Sequence, residues 1–213
     1  MVEDGKRAAL EERLASMGRF TSTALASLLP GGGVLAAALG ELYNLEGGKR
    51  VLGVIAEVEK ALGARVARLE QREEEYILRL AMEARLATDV EQLVRLRNAA
   101  TNAVLLNIED AWFGALQECV ARLRTEEVTV LVTVRQAIHP NRQNHMMTGI
   151  KDLQHCLPTL PPDLLLTIVR RLDRLGLVEN DKMSEGPGEY TVMNMTKLGL
   201  RFLDFIREPA KPA

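Results

Sequence analysis

Apolar and polar positions alternate with a helical period over most of this chain. Between residues 47 and 87, apolar residues recur at steps of three and four, which places them along one face of a helix. The first part of this stripe consists of Val51, Ile55, Val58, Leu62, Val66 and Leu69. The pattern predicts one long helix, or two helices joined near Gly63. A second long helical segment follows over about 88–123, opened by a capping box of Thr88 and Glu91, and it either continues or restarts into the apolar residues from Ile108 onward.

Two apolar stripes of this length predict self-association. A helix of about forty residues spans about 60 Å at about 1.5 Å per residue, and a thin hairpin of two such helices leaves much of each stripe uncovered. Exposed apolar patches of that size usually mark interfaces. We therefore predict a homo-oligomer whose seam is the stripe from Val51 to Leu69. Acidic residues 73–75 interrupt the stripe, and we interpret them as a solvated charge run, with an acidic recognition surface as the alternative.

An uncharged stretch from Phe20 to Gly40 precedes these helices. Its centre, Pro30 to Gly33, breaks a helix and would leave backbone groups unpaired in lipid, which argues against a membrane span. A positively charged region before it is missing, which argues against a secretory signal. We predict a hairpin of small residues over 20–44, packed on the long helices. The alternatives are a hairpin that inserts into a membrane and a true span. The residues that would serve in packing or insertion are Phe20, Leu28, Leu29, Pro30, Gly31, Gly32, Gly33, Val34 and Leu35.

The C-terminal part has the element order of a winged helix-turn-helix. Residues 162–175 form an amphipathic helix, with Pro162 in its first turn and Gly176 after its last turn. A charged tract with Gly and Pro, 179–188, separates two short strands and predicts the wing. A last helix follows, capped by Asn194 or Thr196.

Residues 125–138 are ambiguous by propensity alone. The run from Val128 to Val134 is rich in β-branched residues and has strand propensity. Thr125 and two glutamates after it are typical of a helix start, and the winged order requires a helix here, so we predict a helix. The fold class is thus mainly α. Residues 1–124 form a long helical hairpin or bundle, and residues 125–213 form a C-terminal winged helix-turn-helix module with a small β-wing.

Composition narrows the class of protein further. The formal net charge is −2 and the pI is near 6.0, which gives no global electrostatic argument for nucleic acid or anionic lipid. Two isolated cysteines favour a reducing compartment over a disulfide framework, so we predict a cytoplasmic protein.

The sequence carries no recognisable motif for catalysis. A phosphate-binding loop, a dinucleotide fingerprint and a zinc-protease helix are all missing. The ligand types at His139, His145, His155 and Cys156 match no standard zinc spacing, and Cys156 is expected in the core. We therefore predict that the protein is not an enzyme and has no catalytic residue, no metal and no cofactor.

Winged helices often bind DNA through the first turn of the recognition helix. Here Pro162, Asp163 and Leu164 offer almost no hydrogen-bond donors. Four basic residues could contact phosphates or another partner: Arg170, Arg171, Arg174 and Lys182. Residues 125–213 carry equal numbers of acidic and basic side chains, whereas a DNA reader needs a basic surplus on the binding face. Nucleic acid is therefore the alternative rather than the favoured partner.

The glycine-rich apolar start, the long helices and the C-terminal module together resemble the bacterial Abi-alpha type, which is associated with abortive phage infection. The residues that carry the resemblance are Leu-Gly-Leu-Val at 175–178 and Thr196-x-x-Gly199. It implies a cytosolic role in defence or stress without an enzymatic site. The favoured function is non-catalytic association with an unknown protein partner. The alternatives are a DNA-binding regulator and a membrane-active effector that uses residues 20–40.

Overall fold

The computed structural model describes residues 46–137, 148–181 and 191–210, and in these ranges the fold is mainly α. The helices are α1 (Glu46–Leu62), α2 (Gln71–Glu83), α3 (Val90–Leu105), α4 (Asp110–Arg122), α5 (Thr125–Ala137), α6 (Ile150–Cys156), α7 (Pro162–Arg174) and α8 (Lys197–Ile206). The strands are β1 (Thr148–Gly149), β2 (Val178–Asp181) and β3 (Thr191–Met195). The hairpin predicted over 20–44 and Lys182, predicted to lie in a wing, are outside the described residues.

The long helices predicted over 47–87 and 88–123 are each divided. Gly63 has φ 52°, a left-handed conformation that favours glycine, and a 3₁₀ turn over Gly63–Arg68 follows it. The joint expected near Gly63 is therefore confirmed, and the single helix is wrong. Asn107, at φ 47°, makes the second break between α3 and α4. Short helices can pack around a common centre, which two long rods cannot do.

The start of α2 corrects the interpretation of the acidic run. Glu73 Oε2 accepts a hydrogen bond from the Glu70 backbone N–H at 2.9 Å, as half of a capping box. Glu73 Oε1 lies 3.2 Å from Arg65 Nη2, and the Glu73 side chain is buried. A solvated charge run is therefore wrong for Glu73, because this carboxylate both caps α2 and pairs with Arg65.

The N-cap of helix α3 lies one residue later than predicted. Asp89 is the N-cap, and its Oδ1 accepts from the Gln92 backbone N–H at 2.6 Å. Gln92 Oε1 in turn accepts from the Thr88 N–H at 3.0 Å. The predicted pair of Thr88 and Glu91 is wrong, because Asp89 is the N-cap in place of Thr88 and Gln92 reaches back in place of Glu91.

The core is centred on α3, against which α1, α2 and α8 all pack. The stripe predicted as an oligomer seam lies in this core. Within the single chain Val51, Ile55, Val58 and Leu62 are buried, and Val66 and Leu69 are partly buried against them. The seam assignment therefore fails, because one chain already covers these side chains. The homo-oligomer itself stays a prediction.

The C-terminal elements follow the order α5, β1, α6, α7, β2, β3, α8. The helix predicted over the β-branched run is confirmed as α5, whose residues Val130, Leu131 and Val134 are buried. The strands form an antiparallel sheet in the order β1-β3-β2, with Thr148 opposite Val192 and Val178 opposite Met195.

The end of α7 is fixed by the turn that Gly176 makes. Gly176 has φ 69°, its N–H donates to the Asp173 carbonyl at 2.8 Å, and the Leu177 N–H donates to the Leu172 carbonyl at 3.0 Å. These two bonds define a Schellman motif. The predicted C-terminal glycine is confirmed.

Thr196 connects this turn to α8. Its Oγ1 accepts from the Gly199 N–H at 3.0 Å, and its own N–H donates to the Leu177 carbonyl at 3.2 Å. Of the two caps predicted for the last helix, Thr196 is therefore the one used. The motifs at 175–178 and 196–199 meet at this junction, where Gly199 lies against the Leu177 carbonyl and Gly176 supplies the positive φ.

Candidate interaction surface on helix α7

Helix α7 is held by its apolar face and presents the other face outward. Its buried residues are Leu165, Ile168, Val169 and Leu172, and the helix packs on α5, α6 and β2. The exposed side chains include Asp163, Leu164, Thr167, Arg170 and Arg174. This outward face is named the α7 surface below.

The first half of the α7 surface is apolar and acidic. Leu164 is 44% exposed, and Asp163 is exposed beside it. Pro162 has no N–H, and the Thr167 hydroxyl donates to the Asp163 carbonyl oxygen at 2.8 Å, which engages its proton. This half of the helix therefore offers an apolar contact and a carboxylate but few free donors.

The three arginines predicted as one contact set are separated by the structure. Arg171 Nη1 lies 3.0 Å from Glu127 Oε1, and its Nη2 donates to the Arg122 carbonyl oxygen at 2.9 Å. Arg171 therefore holds α7 against the turn between α4 and α5. Arg170 and Arg174 are both exposed and are four residues apart, so they share a face of the second half of α7.

Two buried asparagines on α3 cap the end of α8. Asn98 Nδ2 donates to the Ile206 carbonyl at 3.0 Å. Asn102 Nδ2 donates to the carbonyls of Phe205 at 2.9 Å and Arg207 at 2.8 Å. The last carbonyls of a helix lack partners within the helix, so these amides satisfy groups that would otherwise be unpaired. Two asparagines four residues apart amid alanines were a signal of this role that the sequence interpretation missed.

Arg95, also on α3, reaches the start of α5. Its Nη1 donates to Thr125 Oγ1 at 3.0 Å and its Nη2 to the Leu123 carbonyl at 3.2 Å. Burial lowers the pKa of Arg95, against the opposing effect of nearby acidic residues. The bond to Thr125 crosses the domain boundary predicted at 124/125, as do the asparagine caps. The boundary stays a prediction, but the elements on its two sides are in contact.

Trp112 of α4 lies under two cations of α8. The Arg201 guanidinium carbon is 4.2 Å from the ring centroid and Lys197 Nζ is 5.7 Å from it, which are cation–π distances. Both cations therefore stabilise the contact between α4 and α8.

A surface cleft of about 400 Å³ lies between α1, α3 and the residues after α8. Its charged lining residues carry both signs: Glu57, Lys60, Arg97 and Glu208. The Arg97 guanidinium donates to Asn98 Oδ1 at 2.8 and 3.1 Å, so it also orients one of the capping amides.

The described residues contain no cluster of three metal-ligating side chains. Cys156 is exposed, which corrects its expected place in the core: α6 is so short that only Leu153 is buried. Burial raises the pKa of the Cys119 thiol to about 11. His139 and His145 lie outside the described ranges. Across these same ranges, no helix has the length and apolarity that a membrane crossing requires.

No protein-family model, curated protein or solved structure matches this chain at a significant level.

Proposed function

We propose that this protein acts by binding another protein, without catalysis, and that the α7 surface is its contact surface. In this proposal the elements from α5 to α8 form a winged helix-turn-helix module. The order of helices and strands and the β1-β3-β2 sheet support that assignment. Helix α7 then occupies the position of the recognition helix.

The observation that carries the proposal is the exposed Leu164 beside Asp163 in the first turn of α7. In a DNA-reading module, the first residues of this helix donate hydrogen bonds to base edges. An exposed leucine suits the apolar core of a protein interface, and a carboxylate is repelled by phosphate. Arg171 is paired with Glu127, which leaves one cation fewer on α7 to contact DNA phosphates.

A DNA-binding regulator is the second candidate, and one observation favours it. Arg170 and Arg174 lie on the same exposed face, one turn apart, where two phosphate contacts could form. Such contacts give affinity without sequence information, so they do not alone make a regulator.

Affinity capture from native lysate tests the proposal, with nuclease treatment in a parallel sample. The intact chain should retain a defined protein that Leu164→Ser loses and that nuclease treatment leaves in place. The matched control is Leu200→Ser on α8, since Leu200 is 43% exposed, close to Leu164 at 44%. The control should retain the protein.

Two results would overturn the proposal in favour of the regulator. One is loss of the captured protein on nuclease treatment. The other is its loss in the double variant Arg170→Ala with Arg174→Ala while Leu164→Ser retains it. A cytoplasmic location and a role in defence, which the Abi-alpha resemblance implies, belong to the same proposal. The identity of the captured protein tests both.

A further inference from the structure

Large apolar side chains are exposed where the chain passes from α2 to α3. Leu86 is 78% exposed, Val90 is 71% exposed and Val94 is 39% exposed. Val90 and Val94 share one face of α3, and Leu86 ends a second 3₁₀ turn, Ala84–Leu86, which precedes that helix. These three residues are named the junction surface. Apolar groups exposed in series mark a surface that another segment or molecule covers.

The first described residues lie beside this surface. A Cβ at Gly47 would be 3.5 Å from the Arg85 carbonyl oxygen and 3.6 Å from Arg85 Cα, so α1 begins in contact with Arg85. Arg50 also donates to the Ala87 carbonyl oxygen. Arg85 and Ala87 flank Leu86, so the chain enters α1 next to the junction surface.

The uncharged stretch from Phe20 to Gly40 is tethered close to that point. The connection from Gly40 to Glu46 reaches at most about 20 Å when fully extended. The stretch brings five leucines and one valine, without any charge that would have to be desolvated. It is therefore both near enough and apolar enough to cover the junction surface.

We propose that the junction surface is the docking site of residues 20–40 of the same chain. A short tether gives the segment an effective concentration of about a millimolar, which favours it over a second copy at micromolar concentration. Apolar contact then removes Leu86, Val90 and Val94 from water. This proposal is independent of the proposed protein contact at α7.

Photo-crosslinking in the intact chain tests the proposal. A photoreactive amino acid replaces Val90, and chains with light and heavy nitrogen are mixed before irradiation. Cleavage after Arg19 and Glu41 releases the stretch as one peptide. We expect the main adduct to join position 90 to this peptide, with both parts from the same isotope. The same probe at Leu105, about 22 Å along α3, is the control and should not form this adduct.

Two double variants show whether the contact is apolar. Leu28→Asp with Leu35→Asp, one change in each half of the stretch, should lose the adduct. Leu28→Met with Leu35→Met should keep it. Adducts of mixed isotope would assign the surface to a second copy and overturn the proposal. So would adducts to other peptides or to lipid, or an absence of adducts at position 90.

Discussion

At the junction of α7 and α8, Gly199 leaves no room for a side chain. A Cβ there would overlap the Leu177 carbonyl oxygen, and it would lie 2.9 Å from Met195 Cγ. Gly114, within α4, has open space around the same position. Gly199 is therefore needed for the close approach of two segments, whereas Gly114 has no packing role.

Gly199→Ala should lower the free energy of unfolding by about 1–3 kcal/mol, because the new methyl group overpacks against backbone that cannot move aside freely. Gly114→Ala should raise it by about 0.5–1 kcal/mol, because alanine restricts the unfolded chain more than glycine does. Urea denaturation of both variants checks the pair. Equal effects of the two substitutions would contradict the close approach at Gly199.

Tyr76 gives a residue-level prediction that depends on pH. It stacks on Phe113 with ring centroids 3.7 Å apart, and its hydroxyl donates to the Asp110 carboxylate. Burial, together with Asp110, raises the pKa of Tyr76 to about 12 from 10.0. The folded state therefore holds this proton more tightly than the unfolded state. The resulting stabilisation is complete below about pH 10 and is lost as the pH rises through about 12.

Comparison with Tyr76→Phe isolates this contribution, because the ring stacking is kept and other groups that titrate in alkali, such as the Cys119 thiol, are shared. The free energy of unfolding should fall more steeply with pH in the unmodified protein than in the variant. Parallel curves from pH 9 to pH 12 would show that the Tyr76 proton is not linked to folding.

At the scale of elements, α3 is the helix against which α1, α2 and α8 pack. Its polar residues cap or hold elements that come later in the chain. Arg95 fixes the start of α5, whereas Asn98 and Asn102 fix the end of α8. The orientation of the C-terminal elements on the bundle therefore depends on buried polar side chains of one helix.

Asn102→Ala should destabilise the protein by about 1–3 kcal/mol, because buried carbonyls of α8 lose their donor. Hydrogen exchange should also quicken in α8 more than in α2, since the lost bonds are local to α8. Thr129→Ala, at an exposed position of α5, is the control and should change stability by less than about 0.5 kcal/mol. An unchanged α8 in Asn102→Ala would mean that the caps contribute nothing to its attachment.

The period of the apolar residues predicted helical structure. Local residue types predicted the first-turn Pro162 and the C-terminal Gly176, and they gave the joint at Gly63 and the cap at Thr196 as one of two alternatives each. The same pattern could not show which helices pack against each apolar stripe. The stripe from Val51 to Leu69 is predicted to face a second copy because two long helices alone would leave it uncovered. Breaks at Gly63 and Asn107 allow further helices to cover it instead.

Polar residues with tertiary roles were the hardest to predict. Glu73 lies in a helix and carries no local signal that separates a buried group from a solvated one, whereas the spacing of Asn98 and Asn102 amid alanines was a signal that the interpretation missed. Of the arginines predicted on α7, the sequence could not separate Arg171 from Arg170 and Arg174. The reason is that its partners, Glu127 and the Arg122 carbonyl, are distant in the chain.

For the whole molecule, we propose that the helices packed around α3 hold the C-terminal elements so that the α7 surface faces outward. In this proposal Leu164 and Asp163 favour a protein partner over nucleic acid. The affinity for duplex DNA separates the two partners most clearly, because a regulator needs tight and selective binding, whereas a protein-binding module needs neither.

The decisive measurement is the affinity of the intact chain for a pool of random duplexes at physiological salt, followed by selection of the bound fraction. The account predicts dissociation constants no tighter than about 10⁻⁴ to 10⁻⁶ M, as for non-specific contact, and no enriched sequence. Arg170→Ala with Arg174→Ala should then leave capture of the protein partner intact. Nanomolar binding to one enriched sequence, lost in that double variant, would contradict the account.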